Sequence, residues 1–181
     1  MRNFKTEGII IRRRNFGEAD RILTVFTTQS GKIQVKAAGV RRVNSRRSPH
    51  IELLNYTMIA VYKGKSMPIL IEAETIKDYA VLKENLMMVG IAYHLCELVD
   101  SLCAENQENA NAFSLLLQTL DDLSCGRDAK QTVHFFEKNL LAHLGFFSHQ
   151  PLIKTIDTHA AIEEILERKL KTTKLMTHFI S

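Results

Sequence analysis

Lys32-Ile33-Gln34-Val35-Lys36-Ala37 alternates without a break. Ile33, Val35 and Ala37 fall on one side of an extended chain, and Lys32, Gln34 and Lys36 on the other, because successive strand residues point to opposite faces. The stretch predicts a half-buried strand with a cationic outer face. Upstream, Lys5 to Arg13 holds the β-branched run Ile9-Ile10-Ile11, and Asn15-Phe16-Gly17-Glu18 supplies a turn. Arg21 to Thr28 is again β-rich, and Ser30-Gly31 turns the chain into the alternating strand. Downstream, Ile51 to Tyr62 reads as a fourth strand and Pro68 to Ile76 as a fifth, joined around Lys63-Gly64-Lys65. Pro68 fits only a strand start or an edge. Five short strands within residues 1–80 predict a small barrel, since closure removes the edges a flat sheet would expose. The strand count fits an OB-like barrel, although the pattern alone does not separate that from an SH3-like one.

After Ile76 the period becomes helical. Met87, Ile91, Leu95, Leu98 and Leu102 share one helix face. Phe113, Leu116, Leu117, Leu120 and Leu123 line a second helix, with Asn109 or Asn111 as its cap and Gly126 past its end. Asp128 is placed to cap a third, whose stripe is Val133, Phe136, Leu140 and Leu144, closed by Gly145 and Pro151. A last helix, about Thr158 to Lys171, carries Ile162, Ile165, Leu166 and Leu170, with favourable pairs Glu164–Arg168 and Glu167–Lys171. The expected fold class is therefore α+β, an N-terminal five-stranded OB-like β-barrel (1–80) followed by an all-α helical domain (81–181).

Composition is that of an ordinary globular chain, with 181 residues, 45% hydrophobic and 24% charged. No apolar run is long enough to span a bilayer, and Met1-Arg2-Asn3-Phe4-Lys5 lacks the apolar core of a signal peptide. Three cysteines is an odd number for a secreted disulfide framework. These features place the expected home in the cytoplasm. The net charge of +4 hides a polarity: residues 1–80 carry fifteen Lys and Arg against seven Asp and Glu, whereas residues 81–181 carry nine against thirteen. The first half is built to meet an anionic partner.

Enzyme motifs fail one by one. Gly64-Lys65-Ser66 resembles the end of a phosphate-binding loop, but Ile59 stands where that loop needs glycine. G-x-G-x-x-G, H-E-x-x-H and G-x-S-x-G are all absent. Cys96 and Cys103, seven apart on one helix, lie about 10 Å apart along its axis, too far for a disulfide, and read as buried structural thiols. His143, His149 and His159 fall near helix ends without ligand spacing, so no metal is expected. A nuclease is disfavoured because the basic half has few carboxylates, and Glu18 and Asp20, beside Arg21, suit an ion pair or a turn cap. What stands out is basic. Arg12-Arg13-Arg14 closes the first strand, and Lys32 and Lys36 share a face. Gly39-Val40-Arg41-Arg42-Val43-Asn44-Ser45-Arg46-Arg47-Ser48 then places four arginines on one inter-strand loop. Such a set points to phosphates. Tyr56 and Tyr62 share parity on the fourth strand, where one could stack on bases and the other pack in the core.

These residues resemble the RecO family of bacterial DNA repair proteins. The resemblance is carried by Glu7-Gly8-Ile9-Ile10-Ile11-Arg12-Arg13, Phe16-Gly17-Glu18-Ala19-Asp20-Arg21-Ile22-Leu23-Thr24, Ser30-Gly31-Lys32, Ala38-Gly39-Val40-Arg41-Arg42, Ser45-Arg46, Tyr62-Lys63-Gly64 and Ile71-Glu72-Ala73-Glu74. It continues more loosely at Glu97-Leu98-Val99-Asp100, Phe136-Glu137 and Leu144-Gly145-Phe146. The resemblance implies an OB-fold followed by a helical domain in a non-enzymatic recombination mediator. Such a protein binds single- and double-stranded DNA, anneals complementary strands and, with RecR, helps load RecA onto DNA covered by single-stranded DNA-binding protein, whose acidic tail is a further partner. Many members carry a four-cysteine zinc site after the position of Leu144-Gly145; here Phe146 to Pro151 contain no cysteine, so neither zinc nor another cofactor is expected. The expected DNA contacts are Arg12, Arg14, Arg21, Lys32, Lys36, Arg41, Arg42, Arg46 and Arg47. The alternative is a basic OB-type module for protein or RNA that docks an acidic partner.

Overall fold

The computed structural model describes residues 3–64, 66–146, 158–173 and 176. The chain forms two compact units, Met1–Tyr79 with Ala104–Ala110, and Ala80–Cys103 with Asn111–Ser181. The fold class is α+β, strands first and helices after.

In the first unit β1 (Asn3–Phe16), β2 (Asp20–Thr27), β3 (Gly31–Ala37), β4 (Tyr56–Tyr62) and β5 (Ile69–Lys77) close into an OB-like barrel in the order β1-β2-β3-β5-β4. Neighbours are antiparallel except β3 and β5, which meet in parallel at Lys36–Ile69. The long β1 makes the closure, pairing Asn3 to Ile9 with β4 and Gly8 to Phe16 with β2. Its register with β2 slips between Ile10 and Arg12. This irregularity bends the strand and lets Ile9, Ile10 and Ile11 all be buried instead of alternating. Gly8 stands where β1 changes partners; a Cβ there would lie 2.5 Å from Val25 Cγ1 and 2.9 Å from the Phe26 carbonyl oxygen. Ile33, Val35 and Ala37 face inward with Ile10, Leu23, Val25 and Val61, as the alternation predicts.

Two segments of this unit differ from the sequence reading. The strand expected from Ile51 begins only at Tyr56; Ser48–Ile51 is a 3-10 turn opened by Pro49, and Leu54 is left-handed (φ 70°). Ile51 and Leu54 are buried in this turn, so their apolar signal reflects burial, not extension. The second difference is the segment 104–110, expected within the helical domain. Here the Asn106 N–H donates to the Lys32 carbonyl (2.8 Å), Lys32 and Glu105 form a parallel bridge, and Gln34 Nε2 donates to Glu105 (2.7 Å). Gly31 (φ 61°) permits this approach, since a Cβ would fall 1.8 Å from the Gln107 carbonyl oxygen.

The second unit contains α1 (Ala80–Lys83), α2 (Leu86–Leu102), α3 (Ala110–Ser124), α4 (Ala129–His143) and α5 (Thr158–Leu166). Asn85 caps α2 by accepting from the Met87 N–H (2.9 Å), and Asp128 caps α4 by accepting from the Gln131 N–H (2.8 Å). The stripes Ile91-Leu95-Leu98, Leu116-Leu120-Leu123 and Val133-Phe136-Leu140 are buried. α5 stops at Leu166, short of the expected Lys171, because Glu167 is left-handed (φ 50°). His149 and Pro151 lie outside the described residues.

Candidate nucleic-acid interface

The barrel sorts the basic residues by parity. Arg14 pairs with Ile22, which pairs with Lys36; Arg12 pairs with Thr24, which pairs with Gln34. Those rows run across the outer face of β1, β2 and β3. Arg12 and Arg14 are exposed. Lys36 is half-buried, its Nζ 2.9 Å from Asp20 Oδ2 and 5.3 Å from the centre of the Phe16 ring. In the next row Lys32 is 6% exposed beneath the segment 104–110, so the cationic face narrows towards its Lys36 end. Arg13 and Arg21 have the opposite parity and converge on Glu52. Arg13 donates to Glu52 Oε2, and Arg21 Nη1 lies 3.5 Å from Oε1, with its Nε donating to Asn15 Oδ1 (3.4 Å).

The arginine loop is a chain of turns pinned at several points. Gly39, left-handed at φ 69°, donates its N–H to Asp20 Oδ1 (2.8 Å), and the Arg41 N–H donates to the Ala19 carbonyl (2.9 Å). The Gly39 N–H and the Lys36 ammonium hold the Asp20 carboxyl below its ordinary 3.8. Asp20 thus fastens the loop to the β1–β2 turn. Arg41 Nη1 reaches the Gly17 carbonyl (3.1 Å) and leaves its other donors exposed. Arg47 is committed inward, with Nη1 on the Leu70 carbonyl (2.6 Å) and Nη2 on the Ala38 carbonyl (2.7 Å). Arg42 and Arg46 are exposed and line an open cavity of about 710 Å³ with Asp20, Gly39 and Asn44. Among the described residues no hydrogen bond or ion pair holds either guanidinium.

Of the nine residues expected from sequence, Arg41, Arg42 and Arg46 thus gather at one end of the barrel. Lys36 and Arg14 lie in the neighbouring row and Arg12 further along β1. Lys32, Arg21 and Arg47 are built into the scaffold. Tyr56 donates its hydroxyl to Glu7, and burial together with that carboxylate pushes its pKa up to about 12. The sequence suggests an ion pair or a turn cap for Asp20 but does not show that it fastens the loop, nor that Arg47 turns inward, because Gly39 lies 19 residues from Asp20 and the Leu70 carbonyl 23 residues from Arg47. Chemically, the arrangement presents charge. Guanidinium forks match phosphate oxygens, and a pinned loop loses little freedom on binding. The four-cysteine zinc set of many related proteins does not fit this chain, which has three cysteines. Cys96 and Cys103 are buried, and burial pushes the Cys96 thiol up to about 12; Cys125 is exposed.

Residues 1–79 match the family model described as "Recombination protein O N terminal", and residues 83–149 match "Recombination protein O C terminal". A protein named DNA repair protein RecO from Roseiflexus sp. (strain RS-1) is 40% identical over 145 residues, covering 80% of this chain and 51% of that protein. A protein of the same name from Dehalococcoides mccartyi (strain BAV1) is 37% identical over 144 residues, covering 80% and 57%. Another, from Acetivibrio thermocellus, is 35% identical over 147 residues, covering 81% and 59%. The chain spans little more than half the length of these curated relatives.

Proposed function

The chain belongs to the Recombination protein O family, and from that premise we propose that it is a DNA repair and recombination mediator that breaks no bonds. It binds single- and double-stranded DNA, anneals complementary strands and, with RecR, helps load RecA onto DNA covered by single-stranded DNA-binding protein. Residues 1–80 are the DNA-binding OB domain and residues 81–181 the helical domain that meets protein partners, working on the nucleoid in the cytoplasm. The observation that carries this reading is the trio of exposed arginines on one loop fastened by Asp20 and Arg47, with Arg42 and Arg46 lining a single concavity and Arg41 beside the β1–β2 turn. Annealing needs no acid–base pair. It needs two phosphate chains held together with their charge neutralised and their counterions released. Phosphate contacts of this kind position a strand without reading its sequence, which suits a protein acting on any DNA.

The same guanidiniums accept carboxylates, so the acidic tail of single-stranded DNA-binding protein competes for the site. The test is fluorescence anisotropy with labelled single strand, duplex and RNA of equal length at two salt concentrations, and with an acidic peptide. Tight, salt-sensitive binding to both DNA forms supports the proposal. Binding of the peptide with no binding of naked nucleic acid would replace it with a protein-docking module.

A further inference from the structure

In the helical unit, His94 of α2, Glu137 of α4 and His159 of α5 each bring one ligand atom to within 4.8 Å of the others. We propose that this cluster binds a divalent metal ion, and that two imidazoles with one carboxylate favour zinc. The proposal is independent of the DNA reading.

The hydrogen bonds around the cluster carry the argument. The Thr172 hydroxyl donates to Glu97 Oε2 at 2.8 Å. A hydroxyl has one hydrogen, so at its 2.9 Å contact with His94 Nδ1 it accepts. Nδ1 therefore carries a hydrogen, and in the neutral ring Nε2 is the nitrogen with a lone pair. Nε2 faces Glu137 Oε1 at 2.8 Å, and a carboxylate oxygen also only accepts. Something positive must lie between them, in a place where His94 is 0% and Glu137 5% exposed. A proton would satisfy that pair but would not engage His159 Nδ1, which faces the same carboxylate oxygen. His159 Nδ1 stands 3.9 Å from Glu137 Oε1, beyond hydrogen-bond reach. Two ligands of one tetrahedral ion with bonds of about 2.0–2.1 Å sit roughly 3.3 Å apart. The two distances to Glu137 Oε1, 2.8 and 3.9 Å, lie about half an ångström on either side of that spacing, and the two histidine atoms lie within 4.8 Å of each other, so the rings need to close on one ion by side-chain rotation only.

The surroundings are those of a ligand set held in place. His94 is oriented through Thr172 to Glu97, and the second oxygen of Glu137 accepts from the Thr158 hydroxyl. His159 Nε2 lies 3.7 Å from Glu163 Oε1, an oxygen fixed by the Leu170 N–H and the Thr173 hydroxyl. Partners of this kind set tautomer and ring orientation in metal sites. The half-buried His159 gives an ion its route in, and three protein ligands leave a fourth position for water. The expectation of no metal rested on cysteines and on local histidine spacing; this cluster joins three separate helices, which no short spacing reveals.

The full chain, stripped with chelator, is titrated with zinc chloride by calorimetry and with cobalt(II) by visible absorption. The expected result is one saturable equivalent per chain and cobalt bands of a low-coordinate site. His159→Gln, at a half-buried position, should weaken zinc binding on the order of 100-fold, and Thr172→Val by about 10–100-fold. Glu137→Gln should abolish it; if that variant does not fold, the other two decide. His143→Ala, at an exposed histidine of α4, should change nothing. Absence of saturable binding overturns the proposal. So does binding that His159→Gln leaves intact, which would mark an adventitious ion elsewhere, or binding that His143→Ala removes.

Discussion

Arg47→Ala should damage stability more than any other arginine truncation in the loop. Its guanidinium makes two short bonds, to the Leu70 carbonyl at 2.6 Å and the Ala38 carbonyl at 2.7 Å, and so joins the loop to β5 and to the end of β3. Hydrogen bonds from a charged donor contribute about 1.5–3 kcal/mol each when shielded, and less where water competes. Arg47 is half-buried. Two bonds at the low end, reduced for the water that can replace them, give a loss of about 2 kcal/mol. For a chain of this size that is roughly 4–8 °C in Tm. Arg46→Ala, truncating an exposed side chain, should stay within about 0.5 kcal/mol. Arg47→Lys should recover only part of the loss, because one ammonium cannot span two carbonyls as a planar fork does. Differential scanning fluorimetry and DNA anisotropy on the same preparations separate the roles. If Arg47→Ala melts like the wild type and loses DNA affinity as Arg46→Ala does, Arg47 is a phosphate contact and the reasoning fails.

Asp20 gives a pH prediction. Its folded carboxyl holds a proton less tightly than the unfolded chain, so its stabilising effect is complete above the ordinary 3.8 and fades as pH falls through the lower folded value. The gap in Tm between wild type and Asp20→Asn should therefore close on acidification, and Lys36→Ala should move the Asp20 midpoint upward in a carboxyl-carbon NMR titration. Gly8→Ala should destabilise by about 1–3 kcal/mol in urea, since the new Cβ meets Val25 and the Phe26 carbonyl. Lys32→Gln should leave DNA affinity nearly unchanged in a mobility shift, because that side chain is covered, while Lys36→Gln should weaken it.

The barrel was legible in the sequence because its strongest signal is local. Alternation at Lys32–Ala37 follows from one face meeting the core, and Ile33, Val35 and Ala37 do so. The helix stripes from Ile91 and Val133 are local in the same way. What alternation could not show is what lies over the outer face. Segment 104–110 covers Lys32 through backbone bonds that carry no side-chain signature, and only Gly31 hints at a close approach. The loop's positive charge was readable too, but its division of labour was not. Arg46 and Arg47 are adjacent and identical in type, yet one is exposed and the other bonds two carbonyls. Ile51 and Leu54 misled for a related reason: burial inside a tight turn leaves the same apolar trace as a strand.

The salt dependence of single-strand binding tests the central claim most directly. Arg14, Lys36, Arg41, Arg42 and Arg46 form the proposed grip. At roughly −0.7 per phosphate contact, log affinity against log salt should fall with a slope of about −3.5. Replacing Arg41, Arg42 and Arg46 together with alanine should leave a folded protein whose slope flattens to about −1.4. A folded triple variant that keeps the wild-type affinity and slope would contradict the account and move the DNA site away from this loop.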